Sequence, residues 1–262
     1  MSYKAGFEYL YRMQQIWITA AGLSAATLLG SLLGFAFKEL PHKWNDGVLG
    51  FCAGIMLGAA TLGLIVPAAE QAGGAWWLVL AGVVLGMLFL NVLDKLTPHL
   101  HKITGLDQEE HLHNASLNRI LLFVLAIALH KFPEGIASGV GFNSEDVSDA
   151  WTVAAGIALQ NIPEGMVVIA PLLLAGVSKT RTLLISLAIA MLEVAGVWTG
   201  YALGAISMKM LPLMLSFAGG AMLYVVSDEM IPETHAHGYE KTATWCLVLG
   251  FVGLVLLERA LA

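Results

Sequence analysis

Two short stretches place ionisable and coordinating side chains where the surrounding sequence is almost wholly apolar: HKFPEG from His130 and QNIPEG from Gln160. In each, a donor stands four residues before a glutamate, as His130 before Glu134 and Gln160 before Glu164. On a helix that spacing puts both side chains on one face. In each, a proline precedes the glutamate. Pro133 and Pro163 have no N–H, so the carbonyls of Leu129 and Leu159 lose their helical partners and kinks are expected. Facing each other, the two helices would gather one imidazole, two carboxylates and one amide. Imidazole suits zinc and iron, and the oxygen donors keep such a site exchangeable. An ion in transit needs a site that binds and also lets go. The competing reading is a polar network that only packs helices. A charge at bilayer depth costs at least ~2.5 kcal/mol and usually marks an ion or proton path. Two matched motifs therefore favour a metal.

Lys131 and Asn161 follow His130 and Gln160 by one residue, which turns them about 100° away around the helix. Glu193, alone in AIAMLEVAGVWTG, is the third member of that set. A protonated lysine has no lone pair to give a metal. Its ammonium is expected to pair with Glu193 and Glu134 and so to stand in for a second cation, leaving one metal; the alternative is that it snorkels to an interface.

The elements that position these residues are membrane helices. Of 262 residues, 58% are hydrophobic and 12% charged. That is about half the charge of a soluble domain. Eight apolar segments approach the ~20 residues that span a bilayer: 14–37, 47–69, 75–96, 117–142, 151–175, 182–206, 210–232 and 242–261. The fold class is an all-α polytopic membrane protein, one transporter-sized domain over 1–262. There is no alternation of the kind a β-barrel needs. The N-terminal MSYKAGFEYLYRMQQ does not read as a cleavable signal. Cys52 and Cys246 lie in apolar runs without metal-site spacing. A net charge of −6 and no basic aromatic patch argue against nucleic acid.

Loop lysines and arginines set orientation. With both termini outside, Lys38, Lys43, Lys95, Lys102, Arg119, Lys179, Arg181 and Lys241 fall inside. Lys4, Arg12, Lys209 and Arg259 fall outside. The acidic FNSEDVSDA connection, with Glu145, Asp146 and Asp149, then lies outside, as a solvated turn or as a steering patch for cations. IVPAAEQAGG in the second segment and EMIPETHAHG in the seventh resemble each other and run in opposite senses. Such inverted repeats flank midplane sites in transporters.

Other histidines lie on the inner side. The loop over 97–116 carries His99, His101, His111 and His113, and the end of the seventh segment carries Glu233, His235 and His237. Neutral imidazole is a common ligand, so these are candidate exit or sensing groups. Asp228 and Glu229 would extend the path. Trp17, Trp44, Trp76, Trp77, Trp151 and Trp245 read as an interfacial belt.

HKFPEG and QNIPEG together resemble the paired signatures of the ZIP (Zrt/Irt-like) family of divalent metal transporters. The eight-segment layout agrees along the whole chain, most closely with the compact GufA-like bacterial branch. The resemblance implies a homodimer in a bacterial inner membrane that moves Zn2+, and also Fe2+, Mn2+ or Cd2+, into the cytoplasm by elevator-type alternating access, with no organic cofactor. It assigns His130, Glu134, Gln160 and Glu164 to the main site. The adjacent second site falls on Lys131, Asn161 and Glu193, with Glu134 and Glu164 shared as bridges. Lys131 stands where many members have Asn, and Gln160 where many have His. An intramembrane metalloenzyme or a metal sensor is the alternative. The enzyme reading lacks an HExxH motif and any nucleophile with a positioned base.

Overall fold

The computed structural model describes residues 3–36, 41–103, 128, 131–144, 147–174, 176–206 and 208–261. All regular structure among them is helical. α1 runs Tyr3–Ala36, α2 His42–Gln71 and α3 Trp76–Ile103. The described part of α4 is 131–140, closed by a 3-10 turn at Gly141–Asn143. α5 is Ser148–Leu174, α6 Lys179–Ile206, α7 Leu211–Thr234 and α8 Glu240–Leu261. Six of these contain stretches long and apolar enough to cross a membrane: α1, α2, α3, α6, α7 and α8. Their outward faces carry Leu80, Leu85, Leu88, Leu184, Leu249 and Leu256, all half or more exposed, as a lipid-facing surface requires. The helix of α3 continues through 103, so the first residues of the expected 97–116 loop are helical.

Two helices change pitch at corresponding places. In α2 a π-helical stretch, Ala59–Ile65, leads into Val66–Gln71, which opens with Pro67. In α7 the stretch Val226–Met230 leads into Ile231–Thr234, which opens with Pro232. The Val66 amide bonds the Thr61 carbonyl and the Ile231 amide bonds the Val226 carbonyl, each five residues back. A wide turn just before the proline moves its ring off the preceding carbonyl. The two segments that look alike in sequence thus share one backbone device. By contrast, α5 runs unbroken from Ser148 to Leu174 through Pro163.

The helices pack as close pairs: α2 on α8, α3 on α7, α1 on α5, and α4 on α6. Small residues make this possible, since lipid gives helices no hydrophobic reason to associate and close van der Waals contact must do so. The glycines of the two PEG triplets are the case that matters for the site. A Cβ on Gly135 would collide with the Glu193 carbonyl of α6, and one on Gly165 would meet the Thr27 carbonyl of α1. The partners answer in kind. Gly196 lies against the Phe132 carbonyl and Gly30 against the Ile162 carbonyl. Each signature helix is therefore seated backbone to backbone on a neighbour, which fixes where its glutamate points. Trp151, near the start of α5, packs edge-on against the fully buried Phe142 at 5.2 Å.

Candidate metal site

Six polar side chains meet in the interior where α4, α5 and α6 converge, and none is more than 6% exposed: Lys131, Glu134, Gln160, Asn161, Glu164 and Glu193. Lys131 and Glu134 come from α4, one turn apart. Gln160, Asn161 and Glu164 come from α5, and Glu193 from α6, across the Gly135–Gly196 contact.

The Lys131 ammonium is the hub. Its Nζ donates to Glu134 Oε2 at 2.7 Å, to Glu164 Oε2 at 2.6 Å and to Asn161 Oδ1 at 2.5 Å. All three ammonium donors are thereby used. Asn161 passes the connection on. Its Nδ2 donates to both oxygens of Glu193, at 2.8 and 3.0 Å, and to the Leu23 carbonyl at 3.3 Å. Thr27 Oγ1 donates to Glu193 Oε2 at 3.2 Å. Gln160 Nε2 donates to Glu134 Oε1 at 2.9 Å, while Gln160 Oε1 is buried without a partner.

The expected Lys131–Glu134 pair is formed. The expected Lys131–Glu193 contact runs through Asn161, and the ammonium's second carboxylate is Glu164 instead. The reason is positional. Glu164 lies one turn beyond Asn161 on the same helix, so the ammonium that reaches one also reaches the other. His130 lies outside the described residues, as do His111 and His113. The helix of α3 includes His99 and His101, but their side chains lie outside the described set. Among the described residues no three His, Cys, Asp or Glu side chains converge on a point where a metal would sit. The centre of the cluster holds the ammonium.

Charge states what the cluster needs. Three carboxylates surround one ammonium, so with all four ionised it is two positive charges short. Uncompensated charge in a membrane interior is expensive, and either protons on the carboxylates or a divalent cation would close the gap. The donors fit: carboxylate oxygens, an amide oxygen with a free lone pair at Gln160, and room beside them. A cavity of about 10 Å³, lined by Thr27, Ser31, Lys131, Glu164 and Ser186 among others, adjoins the ammonium. That is enough for one water.

Three groups at the site were not singled out from the sequence. Thr27 and Ser31 sit four apart on α1, on the small-residue face that also carries Gly30 and Gly34. That spacing was the available signal. Cys52 of α2 is fully buried, with its Sγ 3.8 Å from the Gln160 carbonyl. No motif marks it.

Comparison with known proteins identifies the family. The family profile described as ZIP Zinc transporter matches residues 104–258. The chain belongs to the ZIP zinc transporter family. The zinc transporter GufA of Myxococcus xanthus is 42% identical over 243 residues, covering 90% of this chain and 94% of the relative. The zinc transporter ZIPB of Bordetella bronchiseptica is 39% identical, covering 92% and 79%. The zinc transporter ZIP11 of Homo sapiens is 31% identical, covering 92% and 94%. As a ZIP protein the chain is a multi-pass membrane protein of the GufA-like bacterial branch.

The remaining sequence candidates separate. Glu233 is in the last turn of α7. His235 turns back on that helix end, its Nδ1 2.9 Å from the Ile231 carbonyl and 3.0 Å from Thr234 Oγ1. His237 faces elsewhere, onto α2. Asp228 and Glu229 fall in the π-helical turn of α7.

Proposed function

We propose that this ZIP protein carries Zn2+ into the cytoplasm through the site formed by His130, Glu134, Gln160 and Glu164, one ion at a time. The observation that carries the reading is the Lys131 ammonium bonded at once to Glu134, Glu164 and Asn161. A fixed monovalent cation there fills the second position and leaves the unpartnered Gln160 Oε1, with Glu134 Oε1 beside it on Gln160 Nε2, for a single metal. Fe2+, Mn2+ and Cd2+ suit the same mixed nitrogen and oxygen donors. No organic cofactor takes part, and the chain acts as a carrier rather than an enzyme.

Alternating access is the mode this packing supports. α2, α3, α7 and α8 pair among themselves, and so do α1, α4, α5 and α6. The six clustered polar side chains, with Thr27 and Ser31, belong to the second set, while Cys52 beside Gln160 belongs to the first. Sliding that set past the first would carry the ion without taking the ligands apart. The matching π turns before Pro67 and Pro232 support an inverted repeat around α4 and α5, and with that plan would go eight spans and both termini outside. A small pocket lined by Gln71, Ser144 and Asp149, where the two sets meet, is the outer approach. The chain would work as a homodimer in a bacterial inner membrane.

Uptake of radioactive zinc into proteoliposomes, with Cd2+, Mn2+ or Fe2+ as competitors, tests this. Saturable uptake above empty liposomes, reduced by competing divalent ions, supports it. Uptake indistinguishable from empty liposomes overturns it in favour of a sensor or enzyme.

A further inference from the structure

At the opposite end of α2 from Pro67, a second group of side chains assembles that no part of the buried cluster uses. Asp46, one turn into α2, is fully buried. Its Oδ1 lies 3.0 Å from Nδ1 of His237, in the connection between α7 and α8, and its Oδ2 is buried with no partner. The ring of His42, four residues before Asp46, stacks on the ring of His237 with centroids 4.6 Å apart and planes 20° from parallel. Both imidazoles lie at the surface.

An ionised carboxylate only accepts hydrogen bonds, so at this contact the Nδ1 of His237 is the donor. That fixes the tautomer and leaves the lone pair on Nε2. A carboxylate holding the far nitrogen of an imidazole is the arrangement that orients metal-ligating histidines and raises their basicity. The second imidazole, His42 on α2, lies face to face with it, and a turn of that exposed ring about its side-chain torsions would bring both in-plane lone pairs to one ion. Two neutral imidazoles with water in the remaining positions make an open, exchangeable divalent-metal site. His235 takes no part, because its Nδ1 faces the end of its own helix and its Nε2 faces Thr244.

We propose that His42 and His237 bind a divalent transition metal at this end of the molecule, with Asp46 as the residue that orients His237. The site joins the start of α2 to the α7–α8 connection, so an ion there would tie the two together. It stands apart from the buried cluster, and its existence does not depend on the transport reading.

The test is zinc binding by isothermal titration in a Glu134→Ala/Glu164→Ala background, which removes two of the cluster's three carboxylates and leaves all other histidines constant. The expected result is the loss of about one zinc equivalent in His42→Ala and again in His237→Ala. Asp46→Asn should keep the equivalent but bind it at least about tenfold more weakly, the usual cost of losing an orienting partner. His237→Gln keeps an N–H donor for Asp46 without the imidazole. Loss of the zinc equivalent there, with the melting temperature retained, separates ligation from a structural role. Unchanged stoichiometry in the His42 and His237 variants overturns the proposal. Because binding is read without transport, failure here leaves the uptake result standing, and the reverse also holds.

Discussion

Lys131 and Glu164 lie 33 residues apart in sequence, and their side chains form a 2.6 Å ion pair in the interior. The same ammonium holds Glu134 of its own helix at 2.7 Å. One cation thus ties both PEG glutamates, and through Asn161 it reaches Glu193 as well. The cluster is a single electrostatic unit, and its members should not respond independently to substitution.

Lys131→Asn removes the ammonium and leaves three carboxylates facing one another. We expect a second divalent ion to take its place. Metal content of the purified protein should rise by about one equivalent relative to the natural sequence. Unchanged metal content would show that the ammonium is not standing in for a cation.

Asn161→Leu removes the link between Lys131 and Glu193 and leaves a buried carboxylate short of two donated hydrogen bonds. Loss of a partner in a buried charged network costs about 3–5 kcal/mol. The melting temperature should fall clearly, and more than for Thr27→Val, which removes one hydrogen bond worth about 1.5–3 kcal/mol to a charged acceptor. Equal stability of the two variants would contradict the relay.

Gly165→Leu should disturb the seating of α5 on α1, because even a Cβ there meets the Thr27 carbonyl at 2.5 Å. Zinc uptake and thermal stability should both drop. Gly253→Ala is the control. Nothing lies within 4 Å of its Cβ position, and alanine favours helix over glycine by about 1 kcal/mol. Stability there should hold or rise slightly.

Which polar residues would come together was legible in the sequence because apolar surroundings make isolated charges conspicuous. Glu134, Gln160, Asn161, Glu164, Glu193 and Lys131 do meet. The order of contact was not legible. Spacing places Asn161 on the face of α5 next to Gln160, yet only the separation of α4, α5 and α6 decides that it stands between Lys131 and Glu193. The glycines of the PEG triplets set that separation, and their role emerges only when the partner helix is known. The resemblance between IVPAAEQ and EMIPETH was visible, while the wide turn before each proline was not, since no residue type encodes a π turn. Asp46 was passed over for a different reason. It follows His42 by four residues, the same spacing that marks His130 and Glu134, but it stands at a segment border where an acid reads as solvated. Burial at 0% exposure reversed that.

The central claim is that zinc crosses by way of the Glu134–Glu164 cluster. The most direct measurement compares zinc uptake into proteoliposomes for the natural sequence, for Glu134→Ala and for the double change His130→Ala/Glu134→Ala, with thermal melting to establish that each variant is folded. The account predicts uptake at the level of empty liposomes in both folded variants. Uptake that persists in either would mean that the ion takes another route and that the buried cluster serves only to hold the helices together.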